Sequence, residues 1–135
     1  MEVKVLIVDN LPSIRNIVKN LLKDMGFNDA DEAEDGLQAM EKLKSGDYGL
    51  VITGRDMPNM SGMDLIRKIR GNDKLKSLPF IMLTAEAESK KILEAIQSGI
   101  NGYIVKPFTI EVLKKNIERV LKSGGIKYAK NNIDS

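Results

Sequence analysis

The sequence predicts a doubly wound α/β domain: a five-stranded parallel sheet covered on both faces by five helices, a three-layer sandwich. Three observations lead there. Five short apolar runs alternate with five stretches of helical periodicity. The runs are nearly continuous in Val, Ile and Leu, as strands buried on both faces are. The 135 residues amount to one domain, long enough to bury a real core, and contain no internal repeat.

The first strand is the run from Val3 to Val8. A helix follows, with Ile14, Ile17, Val18, Leu21, Leu22 and Met25 at the three-and-four spacing of a buried stripe. Pro12 stands at its start, where the missing amide hydrogen has no partner to lose, and Gly26 ends it. The second run, Ala30 to Ala33, is short and polar and reads as an edge strand. Leu37, Met40 and Leu43 mark the second helix. The third strand is Leu50 to Thr53, followed by a loop and a helix carrying Met63, Ile66 and Ile69. Pro79 introduces the fourth strand, Phe80 to Leu83, and a helix through Ile92, Leu93 and Ile96 comes next. Asn101-Gly102 is a turn pair before the fifth strand, Tyr103 to Val105. The last helix has the cleanest stripe: Ile110, Leu113, Ile117, Val120 and Leu121. Residues 1–122 form the domain; residues 123–135 have no period, and a flexible polar tail is expected there.

Composition narrows the chemistry. A hydrophobic fraction of 42% and a charged fraction of 30% are ordinary for a globular protein. No apolar run approaches the roughly 18 residues of a membrane span, and the N-terminus lacks the pattern of a signal peptide. The expected address is the cytoplasm, with no membrane insertion. A net charge of +2, with lysines scattered beside acids, argues against nucleic acid as a partner. The chain has no cysteine and no histidine. That excludes disulfides, thiolate or imidazole metal sites and a Ser-His-Asp triad. Chemistry falls to carboxylates, hydroxyls, lysine or a hard cation.

In doubly wound sheets the functional groups gather beyond the carboxyl ends of the strands. That rule selects Asp9 and Asn10 after the first strand, Gly54 to Asp56 after the third, Thr84 after the fourth and Lys106 after the fifth. The stretches around them are Val-Leu-Ile-Val-Asp-Asn at 5–10, Glu-Ala-Glu-Asp-Gly at 32–36 and Met-Pro-Asn-Met-Ser-Gly at 57–62. Leu-Thr-Ala-Glu-Ala at 83–87 and Gly-Tyr-Ile-Val-Lys-Pro-Phe at 102–108 complete the set.

Together these motifs resemble the receiver domain of two-component response regulators, and within that family the chemotaxis type, over about 120 residues. The resemblance implies the strand order 2-1-3-4-5. It also implies phosphoryl transfer to a carboxylate at the end of the third strand. There Mg2+ neutralises the phosphoryl oxygens, and a hydroxyl and a lysine bind the rest. By position, Asp9 is a metal ligand, Thr84 the hydroxyl and Lys106 the cation. Ala85 leaves room for the group, and Lys106-Pro107 matches the family's cis peptide.

Three positions depart from that pattern. Gly54 stands where the acceptor belongs and cannot form an acyl phosphate. Asn10 supplies a neutral amide where the family places an acid, and Asp56 stands where chemotaxis members carry an amide. Because Mg2+ sheds water reluctantly and favours carboxylates, Asp9, Asn10 and Asp56 are expected to hold it weakly or not at all. Thr53 and Asp56 are poor substitute acceptors. Strand alternation points Thr53 away from the cleft, and neither is set for in-line attack.

The resemblance makes the chain a signalling module acting by protein contacts, without conventional aspartyl phosphorylation and not as an enzyme. The partners the resemblance implies are the flagellar motor switch protein or the chemotaxis kinase, expected to be met as a monomer through Ala87, Ile92, Tyr103, Val105, Phe108 and Arg119. The alternative is a substituted form of a normal phospho-accepting regulator. A small phosphatase or electron carrier is poorly supported, since Asp9-Asn10-Leu11-Pro12 stands where a phosphate-binding glycine loop would be. Plainer roles stay open: Asp9 as a helix cap, Lys106 as an ion-pair partner of Asp9 or Asp56, Thr84 bonded to main chain, Asp56 facing solvent, and Tyr103 or Phe108 as core. Met57, Met60 and Met63 are read as packing residues.

Overall fold

The computed structural model describes residues 3–123. In chain order the elements are β1 (Val5–Val8), α1 (Pro12–Asp24), β2 (Ala30–Ala33), α2 (Gly36–Ser45), β3 (Leu50–Gly54), α3 (Gly62–Arg70), β4 (Phe80–Thr84), α4 (Ser89–Gln97), β5 (Gly102–Val105) and α5 (Ile110–Ser123). All strand pairs are parallel, in the order β2-β1-β3-β4-β5. The expected tail begins one residue inside α5, and residues 124–135 lie outside the described residues.

Alternation along the strands builds two cores. Leu6, Val8, Val51, Phe80, Met82 and Tyr103 face α2, α3 and α4, meeting Leu43, Ile66, Ile69 and Ala95. Val5, Ile7, Ile52, Ile81, Leu83 and Ile104 face α1 and α5, meeting Val18, Leu22, Leu113 and Ile117. Each fully buried Leu, Ile or Val contributes about 1.5–3 kcal/mol relative to exposure, so this alternation secures the layering. The predicted edge strand β2 is the polar one: Lys4 and Arg15 pair with Asp31 and Glu32 along it. Met60 and Met63 are buried and Met57 packs against the same core, so the methionines pack as expected.

Helix ends follow local chemistry. Gly26, at φ 95°, closes α1 in the left-handed conformation glycine adopts without penalty, and Phe27 N–H donates to the Leu22 carbonyl at 2.8 Å. The Asp35 and Ser61 side chains accept from Gln38 N–H and Asp64 N–H to cap α2 and α3.

Four stripe residues do not point inward. Ile17 is 45% exposed, Leu37 52%, Leu93 50% and Ile110 62%. Leu93 stands at the rim of a groove between α4 and α5. Ile17 sits at the margin of a face centred on Val18, Leu21 and Leu22. Leu37 lies in the first turn of α2, beside a groove shared with Met40, Glu41 and Lys44. Ile110 opens a helix of 14 residues, about 21 Å long, which overhangs strands of four or five residues.

Candidate functional site

The sheet register builds the site. Val8 pairs with Thr53, Gly54 with Leu83 and Thr84 with Val105. Thr84 and the residues just past the other strand ends, Asp9, Asp56 and Lys106, gather around Gly54. They line a cavity of about 260 Å³, together with Asn10 and Ala85.

Asp9 is 3% exposed and firmly held. Its Oδ1 accepts from Leu11 N–H at 2.9 Å, and its Oδ2 lies 3.5 Å from Lys106 Nζ. Arg15 Nη1 donates to the Asp9 carbonyl at 2.6 Å while Nε meets Glu32 at 2.9 Å, tying the end of β1 to α1 and β2. The α1 cap position is Leu11, which makes no side-chain cap bond. Asp9 therefore forms a turn ahead of the helix and is not its N-cap. Of the two partners open to Lys106, the structure pairs it with Asp9.

Gly54 ends β3 buried. A Cβ built there meets Asp9 Oδ2 at 3.0 Å, Asp9 Cγ at 3.5 Å and Met57 Cγ at 3.7 Å, so a side chain at 54 would enter the cavity beside Asp9. Thr53 belongs to the opposite face, and its hydroxyl donates to the Gly54 carbonyl at 3.0 Å. Asp56 and Asn10 are exposed. Thr84 Oγ1 accepts from Glu86 N–H at 3.1 Å, the main-chain role open to it, and Ala85 beside it is exposed. The Lys106-Pro107 bond is cis. The donors suit a hard cation only loosely. Asp9 and Asp56 are the carboxylates lining the cavity, Lys106 already balances one of them, and among the described residues no group of three acids, His or Cys surrounds an ion position. Mg2+ in such a set would rest on Asp9 and Asp56, with Asn10 as a neutral donor.

The second surface is a groove of about 750 Å³ between α4 and α5. Of the six expected contact residues, Ile92, Tyr103, Val105 and Phe108 line it; Ala87 and Arg119 do not. Ala87 is exposed before α4, and Arg119 is half-buried on α5. Tyr103 is 3% exposed, so the core reading of this ring holds for its position, and its hydroxyl donates to the Glu86 carbonyl at 2.8 Å. Burial raises its phenol pKa, and the nearby Arg55 charge partly opposes that.

Arg55 lies within the strand-end stretch 54–56, but sequence reasoning assigns it no role of its own. It directly follows Gly54, is 6% exposed, and reaches from β3 to α4, where Nη1 donates to the Lys91 carbonyl and Nη2 to Glu94 Oε1, both at 3.2 Å. The one available signal was a basic residue adjoining an otherwise apolar, buried run.

Comparison with known proteins agrees with this architecture. The family described as response regulator receiver domain matches residues 5–118. Chemotaxis protein CheY-3 of Vibrio cholerae is 51% identical over 88% of this chain and 92% of its own length. Chemotaxis protein CheY of Pseudomonas aeruginosa is 49% identical, over 88% and 96%. The solved structure of chemotaxis response regulator CheY4 of Vibrio cholerae superposes with a TM-score of 0.83 at 35% identity, covering 89% of this chain and 99% of that one. A fold with this strand order, a strand-end cleft of this composition and relatives at half identity along nearly their full length lead to one assignment: the chain belongs to the response regulator receiver family.

Proposed function

We propose that the chain is a CheY-like module of a chemotaxis pathway that signals through protein contacts without forming an aspartyl phosphate. Gly54 carries this reading: the residue at the centre of the cleft has no side chain, and a phosphoryl group needs an oxygen nucleophile there. Asp56 is exposed, and Thr53 belongs to the opposite face, so neither takes over. The contact face is the groove between α4 and α5, offered to the flagellar motor switch protein or the chemotaxis kinase in the cytoplasm. The resemblance to chemotaxis proteins of two organisms supports that context. Asp9, Asn10, Asp56, Thr84 and Lys106 are then the remnant of a phosphorylation pocket, with Mg2+ weakly held.

A second reading is favoured by what the cleft retains. Asp9, Thr84 and Lys106 are in place, and Gly54 lies outside the left-handed region, so an aspartate there meets only a tight contact with Asp9. On that reading the chain is a substituted form of a phospho-accepting regulator. One experiment serves both. Incubation with Mg2+ and acetyl phosphate, followed by intact mass measurement, leaves the chain unlabelled and labels the Gly54→Asp variant. Labelling of the unaltered chain overturns the proposal. Binding of the unaltered chain to a motor-switch peptide separates the readings: the module binds unmodified, and the substituted regulator binds only after Gly54→Asp and phosphorylation.

A further inference from the structure

The Arg55 guanidinium is buried and charged, and its partners are the α4 segment and the Tyr103 side chain of β5. Nη1 meets the Lys91 carbonyl and Nη2 meets Glu94 Oε1, each at 3.2 Å. Tyr103 holds the loop just before α4, its hydroxyl donating to the Glu86 carbonyl at 2.8 Å. The base of the arm is rigid, because Gly62 N–H donates to the Arg55 carbonyl at 2.8 Å.

Helix α4 needs such a fastening. Its N-cap residue, Glu88, makes no side-chain cap bond, and its first turn has no acidic residue, whereas Asp35 and Ser61 cap α2 and α3. Lys90 and Lys91 place positive charge at the helix end where the dipole disfavours it. Only Ala95 of its nine residues is fully buried, and Leu93 is 50% exposed. Little apolar burial and no cap make an element prone to local opening.

We infer that Arg55 is a positioning residue, a latch that anchors α4 and the inward Tyr103 ring so that the groove between α4 and α5 is formed in advance. The inference rests on the reading that this groove is the contact face. It adds that the face is held by a permanent cation of this chain, with no covalent modification required.

The test is native-state hydrogen exchange on the full chain, with tyrosine ring NMR in which Tyr103 is assigned through Tyr103→Phe. In Arg55→Ala, amides of 88–97 exchange about tenfold faster or more, while those of β1 and β3 hold their protection, and the Tyr103 ring signal moves. Glu94→Gln gives a smaller change in the same direction. Arg55→Lys, which keeps the charge but loses the fork of donors, falls between, and it is the variant read if Arg55→Ala does not fold. Unchanged exchange in 88–97 with an unmoved Tyr103 signal overturns the latch, as does an equal rise at every amide. The measurement uses neither phosphodonor nor partner. Phosphoryl labelling of the unaltered chain would therefore remove the proposed function and leave the latch standing, and a failed latch would leave the labelling result untouched.

Discussion

Introducing a carboxylate by Gly54→Asp should destabilise the metal-free protein. A Cβ at this position lies 3.0 Å from Asp9 Oδ2 and 3.5 Å from Asp9 Cγ, which sets the new carboxylate roughly 4 Å from the existing one. Two like charges at that distance repel by about 4 kcal/mol at an effective dielectric near 20. Lys106, whose Nζ is 3.5 Å from Asp9 Oδ2, offsets part of this. Replacing glycine in a strand returns about 0.5–1 kcal/mol. The balance is a loss of about 1–2 kcal/mol, a fall of about 4–7 °C in Tm for a chain of this length.

Mg2+ should reverse the loss, because Asp9, Asp56 and the introduced group together form the carboxylate set a hard cation needs. For a millimolar site, about 10 mM Mg2+ returns about 1.4 kcal/mol, while the unaltered chain gains much less. Like charge raises the introduced group's pKa in the folded state. A raised folded pKa means stability is lost as pH rises through it, so the deficit is full at pH 7 and fades as pH falls toward 4. Thermal melts at both pH values, with and without Mg2+, make the measurement. A variant as stable as the parent at pH 7 and indifferent to Mg2+ would refute the like-charge account of the cleft.

Two further outcomes follow from the same surroundings. In Gly62→Ala the new methyl collides with the Gly54 carbonyl oxygen and crowds the Arg55 Cα at 3.1 Å; both are backbone, so a loss of about 1–3 kcal/mol is expected in urea titration. Asp35 accepts from Gln38 N–H at 2.9 Å and from Asn59 Nδ2 at 2.6 Å, bonds that hold its pKa below the ordinary 3.8. A depressed carboxylate stabilises above its unfolded pKa and loses that contribution as pH falls through the folded one. Asp35→Ala therefore costs about 1 kcal/mol at pH 7 and correspondingly less near pH 3, compared by urea midpoints.

On the proposed reading, the lack of a side chain at Gly54 changes the logic of the cleft more than its shape. Asp9, Thr84 and Lys106 stand at the strand ends with the spacing the register dictates, yet their charges already answer one another. Lys106 neutralises Asp9, and the Thr84 oxygen is engaged by Glu86 N–H. Arg55, next to Gly54, instead connects the central strand to α4.

The layering, the strand ends and the polar edge could be read from residues 1–122 because burial imposes periods. Runs such as Leu50-Val51-Ile52 are stable only when covered on both faces, and the 3.6-residue stripe of Val18, Leu21 and Leu22 is stable only against a sheet. Periodicity says which way a residue faces but not where its helix runs past the sheet, so Ile17, Leu37, Leu93 and Ile110 emerged as exposed only in three dimensions. Long charged side chains escape pattern altogether. Arg55 reaches Lys91 and Glu94, 36 and 39 residues away, and Arg70 ties together Leu78, Gly99 and Asn101. The partner of such a group depends on which backbone carbonyls and acids the folded chain brings within hydrogen-bonding reach, and no local period encodes that.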